Sequence, residues 1–147
     1  MLPSDAVVAP QIHHRARTTV VPIDEVPKDQ MVVDIGPRTI AAYTEHLAKA
    51  KTIFWNGPMG VFEMPQMADG TNAIARLLAK RSRARVVTVV GGGDSVAAVE
   101  KLGLADRMTH VSTGGGASLE FLQGKTLPGV AALLPADAEI DLSEEDA

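Results

Sequence analysis

The chain of 147 residues contains no cysteine. Disulfides, cysteine-held zinc and thiol redox chemistry are therefore excluded, and a cytoplasmic location is expected. Aromatic residues are nearly as scarce: one Trp, one Tyr and three Phe. The core must then be built from Val, Leu, Ile, Ala and Met. A nucleic-acid interface needs a broad basic face with aromatics for stacking. This chain has neither, so no nucleic-acid partner is expected. No apolar run approaches membrane-spanning length, and no membrane partner is expected either. Met1–Asp5 lacks the basic start and apolar core of a secretory leader.

Charge is unevenly placed. The net value of −4 hides an acidic end, because Ala136–Ala147 holds six acids and no base. Without it, 14 basic residues face 12 acidic ones. Residues 135–147 read as a solvated, disordered tail. The body, residues 1–134, has one local basic stretch from Arg76 to Arg85, which fits an exposed helix end. With 46% apolar residues, the chain can bury a sizeable core.

What is present is an alternation. Val86–Val90 is a continuous β-branched run that stops at three glycines. Such runs suit a parallel strand covered on both faces. Thr52–Trp55 is similar and stops at Asn56-Gly57-Pro58. Met108–Ser112 is a third, ended by Gly114-Gly115-Gly116, and Ala6–Ala9 and Thr18–Ile23 read as two more. Helical spacing runs from Pro37 to Ala50, where Gly36-Pro37 makes a good start. It recurs from Thr71, a candidate cap, to Arg81. It recurs again from Asp94-Ser95 to a left-handed stop at Gly103, and from Ala117 to Gln123, closed by Gly124. Strands alternating with helices predict a three-layer αβα fold around a parallel, Rossmann-like sheet. In such folds ligands bind beyond the carboxyl ends of the strands. The three glycine-containing turns would gather on that edge.

In Gly91–Ser95 a strand ends, glycines turn the chain and a helix begins. Glycines let backbone N–H groups approach an anion, and a helix start adds unpaired donors. Asp94 would repel a bare phosphate but suits one that carries a divalent cation. Alternatively, Asp94 or Ser95 only caps the helix. Ser112–Ser118 repeats the design without the acid, and could equally be a tight turn. Neither loop has the Walker A or dinucleotide spacing. The stretch Trp55–Glu63 supports two readings. Asn-Gly between apolar runs is a hairpin signal. Otherwise Asn56 offers its amide to a phosphate, Pro58 through Val61 wall a base, and Glu63 accepts from a ribose diol. His13-His14 read as surface loop, His46 as solvent-facing and His110 as a core histidine.

Four segments, Asp34–Ile40, Phe54–Glu63, Val89–Lys125 and Leu127–Leu133, closely resemble the phosphoglycerate kinase family, in the right order. The resemblance implies that residues 1–134 are part of a C-terminal nucleotide-binding domain, incomplete relative to the full kinase. It implies reversible phosphoryl transfer between 1,3-bisphosphoglycerate and ADP, giving 3-phosphoglycerate and ATP in glycolysis, with Mg²⁺. It assigns Glu63 to the ribose, Asn56 to the nucleotide phosphates, and Pro58 and Val61 to the base. Asp94 becomes the ligand of the metal–nucleotide complex, with Gly92, Gly93 and Ser95 forming the phosphate loop. Gly114, Gly115 and Gly116 face the transferring phosphoryl. The phosphoglycerate-binding N-terminal domain of the family is not matched, so the chain alone is expected to be inactive. The alternative is a noncatalytic Mg-nucleotide-binding module, or a truncated remnant that needs a partner chain.

Overall fold

β-branched residues dominate Asp5–Ala9 (β1), Thr19–Pro22 (β2) and Met31–Ile35 (β3), and these segments form the first sheet of the computed structural model. The structure describes residues 1–133. They fall into two compact units, Met1–Gly115 and a second that begins at Gly116. The expected acidic tail, 135–147, lies outside the described residues.

In the first sheet β1 is central and pairs antiparallel with β2 and β3, in the order β2-β1-β3. This differs from the all-parallel arrangement expected from alternation. No α-helix joins these three strands, only loops and one 3-10 turn at Ile23–Glu25, and antiparallel neighbours need no helical crossover. β3 itself is not assigned as a strand from sequence. Met31 and Val32 are exposed while Val33, Asp34 and Ile35 are buried, so the run lacks a clean period of two.

The second sheet is the parallel one. Thr52–Asn56 (β4), Val87–Gly91 (β5) and His110–Ser112 (β6) lie in the order β4-β5-β6. Three helices alternate with them: Pro37–Lys49 (α1), Asp69–Arg83 (α2) and Gly93–Lys101 (α3). Proline opens α1 with Gly36 as its cap residue, and Gly103, at φ 63°, follows the end of α3. The exposed end of α2 carries Arg76, Lys80 and Arg83, as expected of the basic stretch. Arg81 instead donates to the Ala50 carbonyl at 2.9 Å.

The main core joins Ile53 and Trp55 of β4 and Val90 of β5 to Ile74, Leu78 and Ala79 of α2 and Val96 and Val99 of α3. A smaller cluster joins Ala9 of β1, Val33 of β3 and Met67. β6 is only three residues long, and side chains extend its grip. The hydroxyl oxygens of Thr88 and Thr109 each accept the other residue's backbone N–H at 3.1 Å. His110 is exposed on β6, a correction to its reading as a core histidine; alternation at this short edge strand turns it outward.

Strand register positions everything that follows. Asn56 pairs with Gly91, and Gly91 pairs with Ser112. The last residues of all three parallel strands therefore stand in one row, and the three loops after them leave from one rim.

The second unit contains Gly115–Leu122 (α4), whose first residue is the end of the first unit, and Pro128–Ala131 (α5). Gly124, at φ 72°, follows α4 in the left-handed region. Phe121, Leu122, Val130 and Leu133 are exposed.

Candidate functional site

The loop after β5 turns at Gly92, whose φ of 89° suits glycine and strains other residues. Its N–H donates to the Ser112 carbonyl at 3.1 Å, which ties this loop to the end of β6. Its carbonyl accepts from Val96 N–H at 3.0 Å and starts α3. Among the described residues no side chain caps that helix. The first-turn N–H groups of Gly93, Asp94 and Ser95 thus have no intrahelical acceptor. The reading of Asp94 or Ser95 as a mere cap is not what the structure shows.

The loop after β6 comes close to the same point. A Cβ on Gly115 would lie 2.7 Å from the Gly92 Cα, so glycine is needed at this approach. Asn56, at the end of β4, bridges the two loops. Its side-chain Nδ2 donates to the Gly115 carbonyl at 3.3 Å. Its Oδ1 lies 3.0 Å from where a Gly92 Cβ would stand. Asn56, Gly92 and Gly115 are therefore brought together, with Asn56 exposed. Gly114 is exposed just before Gly115, while Gly116 belongs to the second unit as the second residue of α4.

The loop after β4 is no hairpin. Residues 57–63 form no strand, and four anchors hold them. Gly57 N–H, at φ 99°, donates to the Ser95 hydroxyl at 2.6 Å. Met59 and Gly60 N–H both donate to the Thr71 hydroxyl, at 3.0 and 3.1 Å. Val61 N–H donates to the Val33 carbonyl at 2.9 Å. Lys101 Nζ donates to the carbonyls of Phe62 and Glu63, at 3.0 and 3.2 Å. Ser95 is in the first turn of α3 and Lys101 is its last residue, so the loop runs along the helix from end to end. Pro58 and Val61 are half-buried on it, and Glu63 is exposed.

Two expectations change in detail. Thr71 does not cap α2, whose cap residue is Ala68. It is buried one turn further in, where it holds the loop. The Ser95 side chain is buried on Gly57, so toward solvent it can offer only its backbone N–H.

Sequence reasoning also passed over Asp34, which lies beneath the loop. This buried carboxylate on β3 accepts from Gly70 N–H at 2.7 Å, capping α2 from another strand, and from Ile35 N–H at 2.9 Å. It lies so close to Gly60 and Gly70 that neither has room for a Cβ. Burial pushes its pKa up to about 6; the two N–H bonds pull it down and the Asp69 charge pushes it further up. Its one sequence signal is a charge ending an apolar run. For Lys101 there was no signal, because its partners are carbonyls far away in the chain.

Together these groups make a rim with backbone donors at one end, an apolar wall beside them and a carboxylate beyond. Asp94 and Glu63 are both exposed on it. Among the described residues no three acids or histidines cluster as a metal cage. A cation bound through Asp94 would take its other oxygens from a ligand and water, as Mg²⁺ commonly does. The rings of His13 and His14 lie 4.1 Å apart at an angle of 42° in an exposed loop.

The family model described as phosphoglycerate kinase matches residues 1–125. The phosphoglycerate kinase of Thermosynechococcus vestitus is 58% identical over 133 residues, covering 90% of this chain and 33% of that protein. That of Rubrobacter xylanophilus is 56% identical, covering 95% and 35%. Among solved structures, phosphoglycerate kinase from Coxiella burnetii superposes with a TM-score of 0.80 at 46% identity, over 89% of this chain and 33% of that one. The enzyme from Pyrococcus horikoshii gives 0.73 at 36% identity, over 89% and 31%. The chain spans about a third of the length of the relatives it matches, and it belongs to the phosphoglycerate kinase family.

Proposed function

We propose that this chain supplies the nucleotide-binding part of a phosphoglycerate kinase. The reaction is reversible phosphoryl transfer between 1,3-bisphosphoglycerate and ADP, yielding 3-phosphoglycerate and ATP in glycolysis, in the cytoplasm. The observation that carries this reading is the single row Asn56–Gly91–Ser112, from which the three loops leave together.

Each residue then has a task its geometry allows. Glu63 accepts hydrogen bonds from the ribose diol, and Pro58 and Val61 flank the base. The N–H groups of Gly93, Asp94 and Ser95 face the nucleotide phosphates at the start of α3. Gly92 gives them their approach. Asn56 uses one amide hydrogen on Gly115 and keeps the other for a phosphate oxygen. Asp94 would hold the Mg²⁺ that accompanies the nucleotide, and that cation would supply the charge to offset the phosphates. Gly114, Gly115 and Gly116 are assigned to the group in transfer. Phosphoryl transfer is served chiefly by positioning and charge stabilisation, which backbone donors supply directly and Asp94 only through the cation it would hold.

Calorimetry with Mg–ADP tests the assignment. Glu63→Ala and Asp94→Ala should each weaken binding about tenfold, the loss expected for one charge-assisted contact. Binding that ignores both substitutions would remove the basis for the site.

A further inference from the structure

Glu63 is useful to a ligand only if its carboxylate is held in place and left unneutralised. It sits at the end of the surface loop that follows β4. Among the described residues, Lys101 is the side chain that fastens this end. From the last turn of α3 its ammonium reaches two successive carbonyls, Phe62 at 3.0 Å and Glu63 at 3.2 Å. It also lies 5.9 Å from the centroid of the Phe62 ring, within cation–π range. A charged donor to carbonyls makes a stronger bond than a neutral one. The ammonium is thus spent on the backbone. Among the described residues no cation pairs with the Glu63 side chain.

We propose that Lys101 is a positioning residue for the nucleotide, which clamps the Phe62–Glu63 backbone to α3 so that the Glu63 carboxylate meets the ribose diol. This rests on the nucleotide reading above. The same helix presents its first-turn N–H groups to the phosphates and its last residue to the ribose anchor. α3 therefore sets the spacing between the two ends of the ligand.

The test is calorimetric binding of Mg–ADP and of Mg–2′,3′-dideoxy-ADP, which keeps base and phosphates but lacks the diol. Lys101→Met keeps the aliphatic stem and removes the donor. It should weaken Mg–ADP about fivefold and leave the dideoxy analogue unchanged. Lys101→Arg should restore Mg–ADP binding to within about twofold, since guanidinium also donates to carbonyls. In a Glu63→Ala background, Lys101→Met should add no further loss. Equal weakening of both nucleotides, or full additivity with Glu63→Ala, would overturn the proposal by showing a general structural role. If Glu63→Ala weakens binding while Lys101→Met does not, the proposal falls and the nucleotide reading stands. If the parent binds no Mg–ADP, both fall.

Discussion

Two buried aspartates do similar work and differ in charge preference. Asp5 on β1 caps α1: its carboxylate accepts from Arg38 N–H at 3.0 Å, Thr39 N–H at 2.8 Å and the Thr39 hydroxyl at 2.6 Å. Arg38 also stands 3.6 Å away as an ion pair. Burial pushes its pKa up, but these bonds and the Arg38 charge outweigh burial and leave it below the usual range. Asp34 caps α2 with fewer donors and with Asp69 as a like-charged neighbour, and its pKa rises to about 6. Between the ordinary value of 3.8 and about 6, the folded state thus holds a proton at Asp34 that the unfolded state has lost. Stability contributed by that proton falls as pH rises through this window. Asp5 has the opposite sign: its contribution is present above its unfolded value and is lost in acid. In thermal melts, the difference between the parent and Asp34→Asn should therefore change between about pH 4 and 7 and level off above. A difference that is constant with pH would refute the assignment. The sequence made the glycines legible but not their carboxylate neighbours. Gly60 and Gly70 are needed because an acid from β3 lies against them, and that acid is 26 and 36 residues away in the sequence.

At the scale of elements, helical and β-branched patterning located α1, α2, α3, β4 and β5 within a few residues, because each buries one face or a continuous run. It missed β3, half of whose run is exposed. It also gave Thr71 the wrong task. Threonine before an apolar helical pattern is a reasonable cap, yet α2 begins two residues earlier at Asp69. Thr71 thereby faces inward and accepts from two N–H groups of the Gly57–Glu63 loop. Thr71→Val keeps the shape and removes that acceptor. Leaving Met59 and Gly60 N–H unpaired should cost about 1–3 kcal/mol in denaturant unfolding. Amide exchange at those two residues should speed up as well. Unchanged stability and exchange would show that the loop is held without Thr71.

At the scale of the whole molecule, one face of the parallel sheet is incompletely covered by the described residues of the first unit. Parallel sheets are normally covered on both faces, but Phe54 and Val89 are only half-buried and Val87 is exposed. Beside β4, an edge strand, lies an open apolar cavity of about 180 Å³ lined by Tyr43, Leu47, Trp55, Met59, Ile74 and Leu78 among others. Trp55 Nε1 is buried there without a partner among the described residues. Among the described residues assigned to the rim, Asn56, Pro58, Val61, Glu63, Gly92–Ser95 and Gly114–Gly116, none is a cation that could meet an acyl phosphate. The basic stretch lies at the end of α2 that leads into the start of β5, while the rim is at that strand's other end. Lys101 is engaged with carbonyls. Phosphoryl transfer needs closure around both substrates. The purified chain should therefore bind Mg–ADP yet form no detectable ATP from 1,3-bisphosphoglycerate and ADP. A coupled assay showing turnover would overturn that expectation.

Order along the chain, element type and the three glycine loops were determined by the sequence itself, because periodicity, turn residues and motif spacing are local properties. Which loops meet was decided only by tertiary structure. Register sets Asn56, Gly91 and Ser112 in one row, and long-range bonds from Val33, Thr71, Ser95 and Lys101 fasten the Gly57–Glu63 loop to it. Such contacts join residues distant in the chain, and no local pattern encodes their partners.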